Sequence, residues 1–160
     1  MQKITIQSEF TVFNSFTELD NDIQHLFNLA ETARQKAYAP YSNFLVGCAL
    51  LLDNNEIVTG SNQENASYPS GLCAERTAIY YAGAQYPEAK IIKMAIVAGS
   101  TKQKTASPIP PCGACRQAVF EYEFKQKSPI EIFFKGEEGQ ILHSVSLENM
   151  LPLTFNSKFL

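Results

Sequence analysis

Three of the four cysteines fall in two short stretches, Cys73-Ala74-Glu75 and Pro111-Cys112-Gly113-Ala114-Cys115, and each stretch stands where a helix is about to begin. Behind Cys73, the run Ala74 to Ala82 is rich in helix formers and stops by Gly83 to Pro87; behind Cys112, the pattern is helical from Gly113 to about Phe124. The C-x-x-C spacing sends two thiols to one end of the second helix, where they can share a metal ion. Cys73 lies far upstream, so the fold has to bring two helix N-termini face to face if all three thiols are to meet. Each positive dipole end then favours the thiolate form that zinc binds. Three protein ligands leave a fourth position open, which separates a catalytic zinc from a structural one closed by protein on all sides. The remaining candidate ligands stand alone, outside the paired spacings of zinc sites: His25 in an amphipathic helix, His143 in a late strand and Cys48 in an apolar strand. Cys48 reads instead as a buried small hydrophobe.

The rest of the chain supplies one ordinary core. Its 160 residues, 45% apolar and 18% charged, suffice for a single domain without disulfide staples. Ile4 to Phe13 has partial strand character and reads as a peripheral extension, setting residues 1–16 apart from a domain over 17–160. Thr17 and Asp20 resemble a capping box, and Leu19, Ile23, Leu26, Phe27, Ala30, Ala33 and Ala37 recur at helical spacing, which predicts a helix of about five turns ending before Pro40. Phe44 to Leu52, the turn Asp53-Asn54-Asn55 and Glu56 to Ser61 predict a β-hairpin. Ile91 to Ala98, Ile130 to Phe134 and Ile141 to Ser144 read as strands, Gly99 to Pro111 as a loop, and Ser146 to Met150 as a short helix. Strand and helix alternate after the hairpin, which argues for an α/β layered domain with a largely parallel sheet covered on both faces.

Charge narrows the partners. Thirteen Lys and Arg against sixteen Asp and Glu give a net charge of −3, the wrong sign for capturing a polyphosphate chain through the whole-molecule field, so no nucleic-acid partner is expected. No run approaches the roughly 20 apolar residues of a membrane helix, and the first residues lack the apolar core of a signal peptide. A cytoplasmic protein is expected, where grouped cysteines bind metals or do redox chemistry more often than they form disulfides.

Glu75 decides between those two. A lone C-x-x-C would leave a redox dithiol as a rival, but Cys-x-Glu joined to Pro-Cys-x-x-Cys resembles the zinc deaminase signature, in which the glutamate shuttles protons and is not a ligand. The longer strings Cys73-Ala-Glu-Arg-Thr-Ala-Ile79, Pro111-Cys-Gly-Ala-Cys-Arg-Gln117, Tyr41-Ser-Asn-Phe-Leu-Val-Gly47 and Asn62-Gln-Glu-Asn-Ala66 resemble the small homotetrameric cytidine deaminases over about Ala30 to Phe155. The resemblance implies a three-layer α/β/α cytidine deaminase-like fold whose central mixed five-stranded sheet opens with a β-hairpin. It implies hydrolytic deamination of cytidine and deoxycytidine to uridine and deoxyuridine plus ammonia, as in pyrimidine salvage.

The same resemblance assigns roles: one Zn2+ per chain on Cys73, Cys112 and Cys115; Glu75 as proton shuttle; Arg76 as hydrogen-bond donor to the ligand thiolates. Phe44 would stack on the base, Asn62 and Glu64 would hold the ribose 3′-hydroxyl, and backbone groups at Ala74 would meet the exocyclic amine. Tyr68 and Phe155 match aromatics contributed to a neighbouring subunit's site. Arg116, after Cys115, could act as Arg76 does but reads first as a structural residue. This chain departs from the family pattern in its N-terminal extension, at Ser70-Gly71-Leu72 and after Phe155. A nucleoside-antibiotic deaminase shares the zinc motifs, but the Asn62 to Ala66 string and Arg76 favour cytidine. The acidic balance and Glu64 oppose a polynucleotide editor, and a structural zinc module would need a fourth protein ligand.

Overall fold

In the computed structural model, which describes residues 1–160, the elements run β1 (Thr11–Phe13), α1 (Asn21–Arg34), β2 (Phe44–Leu52), β3 (Ile57–Ser61), α2 (Ala74–Gln85), β4 (Ile91–Ser100), α3 (Gly113–Gln126), β5 (Glu131–Lys135) and β6 (Ile141–Ser144). The strands form one sheet in the order β1-β6-β5-β4-β2-β3. Alternate strand residues divide between two cores, as the two-residue period requires. Cys48, Leu50 and Leu52 of β2, Met94 and Ile96 of β4 and Ile132 and Phe134 of β5 pack under α2 and α3. Ala49, Ala95, Val97 and Phe133 point the other way, against Ile23, Leu26, Phe27 and Ala30 of α1. The result is the expected α/β/α layering.

The sheet is mixed, and the largely parallel arrangement expected from strand–helix alternation does not occur. Only β4 and β5, joined by α3, pair in parallel; β1–β6, β5–β6, β2–β4 and β2–β3 are all antiparallel. The reason is that α2 carries the chain from β3 over β2 to the other side of that strand, so β4 runs alongside β3's direction and against β2. The sheet also has six strands where five were expected, because Thr11–Phe13 of the N-terminal extension adds to the edge of β6. That extension is fastened: Asn149 Nδ2 donates to the Glu9 carbonyl at 2.8 Å, the Glu9 N–H donates to Asn149 Oδ1 at 3.0 Å, and the Phe10 ring meets Phe134 edge-on.

Helix α1 is shorter than its apolar period predicts. Thr17 lies in a 3-10 turn, Asp20 occupies the N-cap, and the helix ends at Arg34. The backbone leaves the helix because Tyr38 is needed elsewhere: its N–H donates to the Asn62 carbonyl at 3.0 Å and its carbonyl accepts from Glu64 N–H at 2.8 Å. The expected terminal helix near Ser146 is a 3-10 turn over Glu148–Met150. No helix is long and apolar enough to cross a membrane.

This topology sets the site. Since β3 and β4 run the same way, the chain leaves both at one end of the sheet, and α2 and α3 begin there together, where crevices form beyond strand C-termini. Gly60 lets α2 lie close on β3: a Cβ there would come within 2.6 Å of the Ala74 carbonyl and 2.7 Å of the Ala78 nitrogen.

Candidate active site

Cys73 is the N-cap residue of α2 and Cys112 that of α3, both with extended backbone, while Cys115 lies one turn inside α3. Their three Sγ atoms lie within 4.8 Å of one another, with Cys73 and Cys112 3.9 Å apart. Four tetrahedral ligands at a Zn–S distance of about 2.3 Å would stand about 3.8 Å from each other, so the cluster fits zinc with little movement. No fourth protein ligand joins it. Cys48 is fully buried in β2, His25 is exposed on α1 across the sheet, and His143 stacks on Phe133 with ring centroids 4.2 Å apart.

The electrostatics suit a cation. Hydrogen bonding from Cys115, together with Arg76 and Cys112, pulls the Cys73 thiol down to about 5, so the cluster offers a thiolate near neutral pH. Arg76 Nη2 stands 3.8 Å from Cys73 Sγ, and its Nε is buried without an acceptor. An orphaned cationic donor beside three sulfurs fits a site whose thiolates carry excess negative charge. Glu75, 4% exposed, is walled in by α2 and the sheet, and burial raises its carboxyl to about 7. A carboxyl that titrates near neutrality both accepts and gives up a proton under working conditions.

A cleft of about 430 Å³ opens over Cys73 and Arg76, walled by Tyr41, Ser42, Asn62, Glu64 and Tyr68 among others. The Glu64 carboxylate lies in it, accepting from the Tyr41 N–H at 2.9 Å and the Ser42 N–H at 3.2 Å. Hydrogen bonding from Ser42 and these backbone groups lowers its pKa, keeping it ionised. Asn62 braces the cleft: its Oδ1 accepts from Val46 N–H at 2.8 Å and its Nδ2 donates to the Phe44 carbonyl at 2.9 Å, leaving one N–H. Ala74, the first residue of α2, is fully buried against β3, with its carbonyl close to Gly60, and is not part of the cleft wall.

The aromatic residues are placed less uniformly. Tyr68, expected at a neighbouring subunit's site, lines the cleft of its own chain, its ring 5.8 Å from that of Tyr41. Phe44 is half-buried at the start of β2 and lies outside the cleft wall, as does Phe155, which is exposed and stacks on Phe159. Tyr41 and Ser42 went unassigned in the sequence, although both stand in the string that marked Phe44. The signal was the turn into β2: Asn43, with φ of 57°, turns the backbone just after the two N–H groups that grip Glu64. Arg116 does not touch sulfur; its Nε donates to the Pro111 carbonyl and its Nη1 to that of Met150.

Comparison with known proteins agrees with this geometry. The family model of the cytidine and deoxycytidylate deaminase zinc-binding region matches residues 20–128. A cytidine deaminase of Halalkalibacterium halodurans is 37% identical over 139 residues, 86% of this chain and 96% of that protein. The crystal structure of a cytidine deaminase from Burkholderia pseudomallei superposes with a TM-score of 0.71 at 37% identity, covering 86% of this chain and all of that one. The enzyme from Mycobacterium tuberculosis gives 0.66 at 31% identity, covering 86% of this chain and 99% of its own.

Proposed function

This chain belongs to the zinc-binding cytidine and deoxycytidylate deaminase family, and from that premise we propose how its residues remove ammonia from cytidine. The reaction is hydrolytic deamination of cytidine and deoxycytidine to the uracil nucleosides, and the substrate is a small molecule. One observation carries the assignment of residues: three sulfurs from two helix N-termini converge beside the buried Glu75 carboxyl, and one of them, Cys73, lines a cleft of about 430 Å³.

Cys73, Cys112 and Cys115 hold zinc. When bound there, the metal would supply Lewis acidity that lowers the pKa of water at the site toward about 7. Glu75 takes a proton from the attacking water, delivers it to N3 of the base, and then moves the second proton to the departing amine. Arg76 draws charge from the thiolates, which preserves the cation's pull on oxygen. Glu64 accepts the ribose 3′-hydroxyl with the free N–H of Asn62 beside it. Main-chain groups at Ala74 meet the amine and Tyr68 covers the cleft mouth; Phe44, tied to the cleft through its carbonyl on Asn62 but with its ring outside the wall, has to turn that ring inward to stack on the base. Three free thiols gathered in one site fit a reducing compartment such as the cytoplasm.

Metal removal tests the core of this reading. Purified protein should carry one zinc per chain and deplete the ultraviolet absorbance of cytidine; chelation should abolish the depletion, and added zinc should restore it. Activity that survives complete chelation would overturn the assignment.

Phe155 lies outside its own chain's cleft with an exposed ring, which supports a homotetramer in which it completes a neighbour's site. Phe155→Ala and Glu75→Gln proteins, each impaired alone, should regain part of the activity when unfolded and refolded together. A hybrid places an intact Phe155 against an intact Glu75 site. A fully active monomer in light scattering would exclude this arrangement.

A further inference from the structure

Arg116 is placed against electrostatic expectation. It occupies the first turn of α3, one residue after Cys115, where the helix dipole disfavours cations. It faces no carboxylate and no sulfur. Its guanidinium instead spans two main-chain carbonyls, with Nε donating to Pro111 at 2.9 Å and Nη1 to Met150 at 3.1 Å. Both acceptors matter. Pro111 immediately precedes Cys112 and follows Pro110, and neither proline has an N–H with which to anchor that segment. Pro111 is buried, and the carbonyl grip adds the hydrogen bond that its ring cannot make at the approach to Cys112.

The other end of the bridge is itself fixed. Met150 is buried and its N–H donates to the Leu147 carbonyl at 2.8 Å. The buried Glu123 carboxylate, two turns along α3 from Arg116, accepts from the N–H groups of Ile130, Leu147 and Glu148 at 2.7–2.9 Å. Asn149, in the same turn, is tied to Ser144 and to Glu9. The Met150 carbonyl thus belongs to a turn clamped between α3, β6 and the N-terminal extension.

We propose that Arg116 is a positioning residue for the metal-binding cysteines, holding the Pro111–Cys112 segment against the clamped Leu147–Met150 turn so that Cys112 faces Cys73 and Cys115. The inference rests on the reading of those three cysteines as the zinc site. Arg116 acts through main-chain placement, whereas Arg76 acts on sulfur directly.

The test compares zinc dissociation constants of wild type, Arg116→Met and Arg116→Lys by chelator competition, well below each protein's unfolding midpoint. The absorption of the cobalt-substituted proteins gives a second readout. Arg116→Met keeps the aliphatic stem but has no donors, and loss of an outer partner of a metal site typically weakens metal binding about 10- to 100-fold. The expected result is a loss in that range, with altered cobalt–thiolate bands and partial recovery in Arg116→Lys. Zinc affinity within twofold of wild type in folded Arg116→Met, whatever its unfolding midpoint, would overturn the proposal and leave Arg116 a purely structural tie. Should Arg116→Met fail to fold, unchanged affinity and cobalt bands in Arg116→Lys overturn it equally. Stoichiometric tight zinc in Cys112→Ser would instead refute the assignment of the site, a result distinct from either.

Discussion

Glu75→Gln is expected to retain one zinc per chain and the wild-type unfolding midpoint while losing nearly all turnover. Glutamine keeps the volume of a side chain that is 4% exposed, so α2 and the sheet still close around it. None of the three sulfurs is altered, so metal binding persists. What disappears is a group that can take a proton from water and hand it on. General acid–base catalysis contributes about 10²- to 10⁴-fold for a transfer of this kind, and Glu75 serves more than one, so a loss at or beyond the upper end is expected. Zinc content by elemental analysis, measured beside single-turnover rates, checks both halves. Loss of zinc in proportion to activity would show that Glu75 is a ligand or a folding residue.

The contrast between legible and illegible features follows from where their causes lie. The N-termini of α2 and α3 could be read because Cys73 and Cys112 precede runs of helix formers, and the spacing of Cys112 and Cys115 needs only one helical turn to be meaningful. The β2–β3 hairpin is local in the same sense. The direction of β4 is not: it depends on α2 crossing over β2, a tertiary event that strand–helix alternation does not encode. The sixth strand is similar, since Thr11–Phe13 becomes a strand only by pairing with Ile141–His143 at the far end of the chain. Helix α1 stops early for a partner at Asn62 and Glu64, which the apolar period running on to Ala37 conceals.

The candidate site divides along the same line. The carboxyl and the thiols were marked by motif, because their chemistry demands those residue types at fixed spacing. The grip on Glu64 comes from main-chain N–H groups of Tyr41 and Ser42, which carry no residue-type signal at all. Arg116 shows the limit from the other side. Its neighbour Cys115 leaves a role at sulfur and a structural role both open, and only the structure shows that the side chain, leaning back toward the helix N-terminus, reaches Pro111.

Substrate size should be discriminated through Glu64. Its Oε2 is committed to two backbone N–H groups, and hydrogen bonding holds the carboxylate ionised, so the group enters the cleft as a fixed anion able only to accept. A free 3′-hydroxyl donates to it; a 3′-phosphate or phosphodiester has no proton to give and brings a second negative charge. The phosphate substrates thus lose a hydrogen bond to a charged acceptor and meet a like charge at the same point. The chain's net charge of −3 offers no compensating field for a phosphate backbone. Cytidine 3′-monophosphate and cytosine within a single-stranded oligonucleotide should therefore show kcat/KM values about tenfold or more below that of cytidine. Glu64→Gln should narrow the gap from both sides, because an amide accepts the hydroxyl less strongly and can donate to a phosphate oxygen. The measurement is deamination of all three substrates at equal cytosine concentration by both proteins. Equal efficiency on cytidine and its 3′-phosphate in the wild type would show that the ribose lies elsewhere, and a gap that Glu64→Gln leaves intact would move the discrimination to another residue of the cleft.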